Sequence, residues 1–262
     1  MSFISLNFVT LFVCTFLLYY TLPPKYRKAI LLLSSCIFIG YYHIAFLIIA
    51  LLISLATFFL GKWVGQSKHE KDAKRIYISG LCFLITGWLA FRYANLLPGV
   101  HWLFPLGISF YTFKAISYCI EVVKKRMDAE TSYLNCWLYL SFFPVFTAGP
   151  INRPKSFFTQ LKRQRSWKTS RIESGLIRTA LGCFEKVVIA DNLLILVDSI
   201  YFQWQEASGG LLWIAMILYS FQIYLDFDAY SNMAIGISKC FGFKIEENFK
   251  TPYLAESISE FW

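Results

Sequence analysis

The chain has 262 residues, 57% of them hydrophobic and only 16% charged, with a mean hydropathy of +0.51, which is too apolar for a soluble domain of this length. Its formal net charge is +9, but the lysines and arginines gather in short gaps between apolar runs, so they read as topology signals and not as a nucleic-acid surface. The seven cysteines are scattered without a Cys-x-x-Cys pair, and neither a disulfide framework nor a metal site is expected.

A membrane span needs about 20 apolar residues, and basic loops mark the cytoplasmic side. The run from Phe3 to Tyr20 has no basic segment before it and no small-residue cleavage site after it, so it is expected to be a retained first span. Lys25, Arg27 and Lys28 follow it, which places the N-terminus outside. The next run, Ala29 to Leu60, ends at a second basic gap holding Lys62, Lys68, Lys71, Lys74 and Arg75. Both its ends then belong inside, and the run is expected to fold as a hairpin broken near Gly40 to His43. Ile76 to Leu97 leads outward, Pro98 and Gly99 make a turn, and Trp102 to Val123 returns to Lys124, Lys125 and Arg126.

Tyr133 to Pro150 starts and finishes at inside loops and contains Pro144, Gly149 and Pro150. It is expected to be re-entrant, and irregular backbone at membrane depth requires protein or a water-filled cavity around it. Ile172 to Gln203 carries Arg178, Glu185, Lys186, Asp191 and Asp198 among apolar residues, and Arg178 and Glu185, seven apart, share a helical face. It reads as an amphipathic helix at the interface or against the cavity. Leu211 to Phe243 is apolar again, with Asp226 and Asp228 near its middle, and Lys239 to Lys250 reads as cytoplasmic. The expected fold class is therefore all-α, a polytopic transmembrane helical bundle with re-entrant and interfacial helices, in one membrane domain over residues 1–262.

Intramembrane carboxylates are functional candidates by default, and Asp226 and Asp228 lead. Two residues apart on a helix, they point about 200° from each other and cannot work as one acid–base pair. Two readings stay open: one acid faces a cavity, or both lie near helix ends with backbone N–H groups or a basic partner. Lys114 is read as snorkelling toward the cytoplasmic end, with a substrate role as the alternative. His43, His69 and His101 each have a surface explanation, and no nucleophile elbow, phosphate loop or His-Glu-x-x-His pair is present.

Several segments, in order, carry a family resemblance. They are Pro105-Leu-Gly-Ile-Ser-Phe-Tyr-Thr-Phe113, Ser141-Phe-Phe-Pro144 with Ala148-Gly-Pro-Ile151, Lys186-Val-Val-Ile-Ala-Asp-Asn192, Gln222-Ile-Tyr-Leu-Asp-Phe-Asp-Ala-Tyr-Ser231, Met233-Ala-Ile-Gly236, Glu247-Asn-Phe249 and Ser257-Ile-Ser-Glu-Phe-Trp262. Together they resemble the alginate O-acetylase and teichoic-acid D-alanyl-transfer branch of the membrane-bound O-acyltransferases. The resemblance implies acyl transfer across the inner membrane, from a cytoplasmic donor to a hydroxyl of an exported polysaccharide such as alginate. The donor would be acetyl-CoA or an acyl carrier protein, and a periplasmic or extracellular transferase is an expected partner beside the lipid bilayer.

A histidine acting as general base suits that chemistry. In the family the motif at Glu260, Phe261 and Trp262 continues toward a Trp-His pair, so the catalytic histidine is expected beyond Trp262, and no catalytic residue is carried over. Asp226, Tyr230, Ser231, Asn248 and Glu260 match motif positions that shape a substrate tunnel or hold its helices. The sequence departs from the pattern at Ala229 (commonly Gly), Asn232 (frequently an acid) and Lys114 (usually neutral polar). A non-catalytic membrane scaffold and a transporter-like protein are the competing readings, although the two halves show no inverted repeat.

Overall fold

The structure, a computed structural model, describes residues 2–93, 104–163, 166–249 and 252–257. The described residues are helical with irregular connections and no strand. They pack as two compact units, Met1–Thr147 with Ile151–Trp167, and Ala148–Pro150 with Lys168–Trp262. The Pro98-Gly99 turn expected from the sequence, and His101, lie outside the described residues.

The first unit begins with α1 (Leu6–Thr21), whose N-cap Ser5 accepts a hydrogen bond from the Phe8 N–H. Next comes α2 (Arg27–Tyr42), tied to α1 through a buried contact of 2.7 Å between the Thr15 and Ser34 hydroxyls. The long apolar run breaks at His43, which is extended (φ −167°, ψ 136°) and whose Nδ1 accepts from Ala45 N–H to cap α3 (Ile44–Gln66). Both α3 and α4 (Glu70–Tyr93) are long and apolar enough to cross a membrane. Leu52 and Phe83, on their outward faces, are more than half exposed, as hydrocarbon contact allows.

The helix α5 (Ile108–Val123) starts from Gly107 at φ +70°, where a β-carbon would stand 2.7 Å from the Phe146 carbonyl oxygen. That left-handed turn and close approach both require glycine. The segment read as re-entrant is helical only over α6 (Tyr133–Ser141), then makes a single 3-10 turn at Phe143–Val145, and stays irregular until α7 (Pro154–Lys162). The break is buried, with Phe142, Phe143, Val145 and Phe146 at 1% exposure or less.

Buried backbone groups need partners, and three helices supply them here. Ser35 of α2 accepts from Phe143 N–H at 3.2 Å, and Tyr139 of α6 donates to the Asn152 carbonyl at 3.0 Å. Lys114 of α5 donates to the Val145 carbonyl at 2.8 Å. Lys114 is fully buried, so the snorkelling expected from the sequence is not what the structure shows. Its amine turns inward because the broken backbone presents a carbonyl that no helix can satisfy.

The second unit holds α8 (Thr169–Phe184), a π-helical turn over Glu185–Ala190, α9 (Asp191–Phe202) and α10 (Gly209–Cys240). The stretch read as one amphipathic helix is thus a helix widened at its centre. At 1.5 Å per residue α10 is about 48 Å long, more than the roughly 30 Å hydrocarbon core. Its first half carries exposed apolar residues from Leu211 to Ile223, and its second half is buried from Ala229 to Cys240. Asp226 and Asp228 stand at the changeover.

Candidate functional site

Small residues bring α8 and α10 together. A β-carbon at Gly175 would lie 2.8 Å from the Gly236 carbonyl oxygen, and one at Gly182 would lie 2.7 Å from that of Ala229. This is the close backbone approach that small residues permit between apolar helices. Ala229, where the resemblance gives glycine, is fully buried, and its backbone carbonyl faces Gly182.

The approach puts polar side chains of both helices within hydrogen-bond reach, and they form one seam. Arg178 on α8 donates to Asn232 Oδ1 from Nε at 3.1 Å and Nη2 at 2.9 Å, and forms a forked pair with Glu247 beyond α10. The amide of Asn232 then donates to Glu185 Oε2 at 2.9 Å and to Asp228 Oδ2 at 3.0 Å. Asparagine fits here because a single side chain accepts from the guanidinium and donates to two carboxylates. An acid at that position would place a third negative charge beside them.

The π-turn sets Glu185 and Lys186, neighbours in sequence, against different turns of α10. Wide turns of this kind occur frequently at functional sites. Lys186 Nζ lies 2.5 Å from Asp226 Oδ1 and 2.6 Å from Asp191 Oδ1, and 5.6 Å from the centre of the Tyr230 ring. Two carboxylates at contact distance, with an aromatic face, hold this ammonium charged. Further along, Asn248 Nδ2 donates to Ser231 Oγ at 2.9 Å, and Ser231 donates to the Phe227 carbonyl at 3.0 Å.

Arg178 and Lys186 thus sit among five carboxylates, Glu185, Asp191, Asp226, Asp228 and Glu247, and Lys239 and Lys244 add positive charge near Glu247. The hydrogen bonds from Arg178 hold the Glu247 carboxyl below the usual glutamate range, more than burial raises it. Among the described residues no cluster of histidine, cysteine and acidic side chains fits a metal ion.

Four of the five residues singled out from the sequence thus meet in this seam, Asp226 and Tyr230 around Lys186, and Ser231 with Asn248. Glu260 lies outside the described residues. Asp226 has the basic partner that one of the open readings gave it, and Asp228 takes the Asn232 amide. Sequence reading did not pair Arg178 with Glu247, 69 residues apart, or Lys186 with Asp226, 40 apart. The available signal was the shared face of Arg178 and Glu185 and the position of Lys186 at the head of a motif.

Chemically the seam joins these ion pairs and hydrogen bonds to side chains carrying hydroxyls, Tyr230 and Ser231. Acyl transfer to a hydroxyl requires a base. The described histidines, His43 and His69, both belong to the first unit.

Comparison with known proteins gives the family. Residues 33–262 match the model of the membrane-bound O-acyltransferase family. The chain is 35% identical over 266 residues to a probable alginate O-acetylase of Pseudomonas fluorescens, covering 100% of the chain and 53% of that protein. It is 28% identical to the peptidoglycan O-acetyltransferase of Helicobacter pylori, covering 93% of the chain and 53% of that protein. A teichoic acid D-alanyltransferase of Bacillus subtilis is 28% identical over 163 residues, covering 60% of the chain and 40% of that protein. The chain spans about half the length of the curated relatives it matches. On a family match covering most of its length, the chain belongs to the membrane-bound O-acyltransferase family.

Proposed function

We propose that the chain works as the N-terminal portion of an O-acyltransferase that acetylates an exported polysaccharide of the alginate type. The observation that carries this reading is the identity to a probable alginate O-acetylase over the whole chain. The charged seam adds support, since it is assembled from the same motifs. In this reading Asp226, Tyr230, Ser231 and Asn248 shape the path of the acyl group or hold its walls. Lys186, locked between Asp191 and Asp226, fixes the π-turn against α10. The general base on the acceptor hydroxyl belongs to the part of the fold that this chain does not span.

The proposed setting is the inner membrane, with the N-terminus outside and the basic loops in the cytoplasm. A cytoplasmic acyl donor, acetyl-CoA or a carrier protein, would supply the acetyl group, and an outer transferase would complete delivery to the polymer. The test is the O-acetyl content of exported polysaccharide in cells making the protein from its own locus, compared with cells in which that locus is deleted. Loss of polymer-bound acetate on deletion, restored by complementation, is expected. Unchanged acetylation with no effect on any exported polymer would leave the scaffold reading in its place.

A further inference from the structure

In the second unit the chain does not depart from α10 at the helix end. Gly242, at φ +86°, turns it through two closing bonds, from Gly242 N–H to the Lys239 carbonyl and from Phe243 N–H to the Ser238 carbonyl, both at 2.9 Å. This paired arrangement is the glycine cap that stops a helix and redirects the backbone. Beyond it the backbone is not helical. Phe243 and Ile245 are buried while Lys244 and Glu246 are exposed, which is the period of an extended segment.

The partners of this segment fall in order along α10. Glu247 accepts from Arg178 Nη1 at 2.7 Å, and Arg178 also binds Asn232. Asn248 donates to Ser231 at 2.9 Å, and the Phe249 ring packs on those of Phe227 and Tyr224, with centres 5.5 and 5.4 Å away. At the 3-10 turn Pro252–Leu254, Tyr253 packs on Tyr224 and Phe221 at 5.5 and 5.3 Å, and its hydroxyl donates to the Ser220 carbonyl at 2.7 Å. As numbers rise from Glu247 to Tyr253, those of the α10 partners drop from Asn232 to Ser220, so the segment runs antiparallel to the helix. From Cys240 back to Ser220 α10 covers about 30 Å, and α10 is long and apolar enough to cross a membrane. Non-helical backbone beside such a helix needs fixed partners.

These contacts do not define position equally well. Stacked rings can slide and a single hydroxyl contact can turn, whereas a guanidinium–carboxylate fork fixes both distance and direction. Arg178 is itself held in place. Its helix α8 meets α10 at Gly175 and Gly182, and Lys239 Nζ donates to Ser174 Oγ at 2.6 Å, one turn before Arg178. The bonds from Nε and Nη2 to Asn232 Oδ1 then fasten the guanidinium to α10, and its other edge meets Glu247.

We infer that residues 243–254 form a strap laid back along α10, and that Arg178, acting through Glu247, is the positioning residue that sets its register. A slipped strap would take Asn248 from Ser231 and Tyr253 from the Ser220 carbonyl together. The consequence for activity rests on the acyltransfer reading, in which Ser231 and Asn248 belong to the site.

Register is tested on the full chain purified in mild detergent, with dibromobimane, which fluoresces when it bridges two neighbouring thiols. The Ser231→Cys, Asn248→Cys pair is expected to give at least five times the signal of either single variant. The Phe221→Cys, Asn248→Cys pair, with one thiol further along α10, is expected to give none above its singles. Equal signals from the two pairs would overturn the strap. Adding Arg178→Gln, which keeps an amide for Asn232 but cannot fork a carboxylate, is expected to cut the first signal at least fivefold. Glu247→Ala, at a half-exposed position, is expected to do the same, and an unchanged signal in both would overturn the role of Arg178. In cells, Arg178→Gln and Glu247→Ala are each expected to lower polymer-bound acetate at least fivefold at wild-type protein level, and the double variant no further. Multiplied losses in the double variant would overturn action through Glu247. A wild-type chain that restores no acetate would defeat the acyltransfer reading alone, because the bimane signal is read without any activity.

Discussion

At the scale of single residues, the seam in the second unit depends on Asn232 carrying both donors and an acceptor. Asn232→Asp removes the two donated hydrogen bonds and adds a charge facing Glu185 and Asp228. A loss of about 1–3 kcal/mol is expected, read as a lower melting temperature in detergent at pH 7.

Glu247 makes part of the stability of this seam depend on pH. Its carboxyl is held below the ordinary value by Arg178, so its contribution is present above the unfolded pKa of about 4.3 and is lost as pH falls through the folded value. Melting temperature measured from pH 7 down to pH 3 should therefore fall more steeply in the wild type than in Glu247→Gln. Because about half of the Glu247 side chain is exposed, the difference should be modest and should shrink in high salt. The acids of this site were visible in the sequence as charges in apolar runs, but their partners lie 40 to 69 residues away. Helical periodicity reports which face a residue occupies and carries no information about which distant helix that face will meet.

At the scale of elements, the contact between α8 and α10 is set by glycine. Gly182→Ala adds a methyl 2.7 Å from the Ala229 carbonyl oxygen. Alanine gains up to about 1 kcal/mol in helix propensity, but forcing backbone apart costs typically 1–3 kcal/mol, so the net change should be destabilising. Gly87 in α4 has nothing within 4 Å of an added β-carbon. Gly87→Ala should therefore raise the melting temperature by an amount matching about 0.5–1 kcal/mol. Thermal unfolding of the two variants side by side checks both signs.

The break at His43 was legible because a run of that length between two basic gaps cannot be one straight helix. The π-turn was not legible, since apolar and charged residues over Glu185–Ala190 fit an α-helix equally well and only packing against α10 selects the wider turn. Lys114 was misread for a related reason. The rule that a membrane lysine reaches for water assumes intact helices around it, whereas here a buried carbonyl at Val145 offers a nearer acceptor.

At the scale of the whole molecule, composition was enough for a membrane protein, because 57% hydrophobic residues are too many for a soluble domain of this length, and the lengths of the apolar runs were enough for the all-helical class. The order of the motifs was enough for the family. Neither contained the seam, which exists only once α8, the π-turn and α10 are packed. The central claim is that this seam belongs to the acyltransfer apparatus, and the most direct test is polymer acetylation by Asp226→Asn. Cells making the variant from its own locus should show at least a tenfold loss of polysaccharide-bound acetate, with the protein still present in the membrane at wild-type level. Wild-type acetylation by that variant would contradict the assignment.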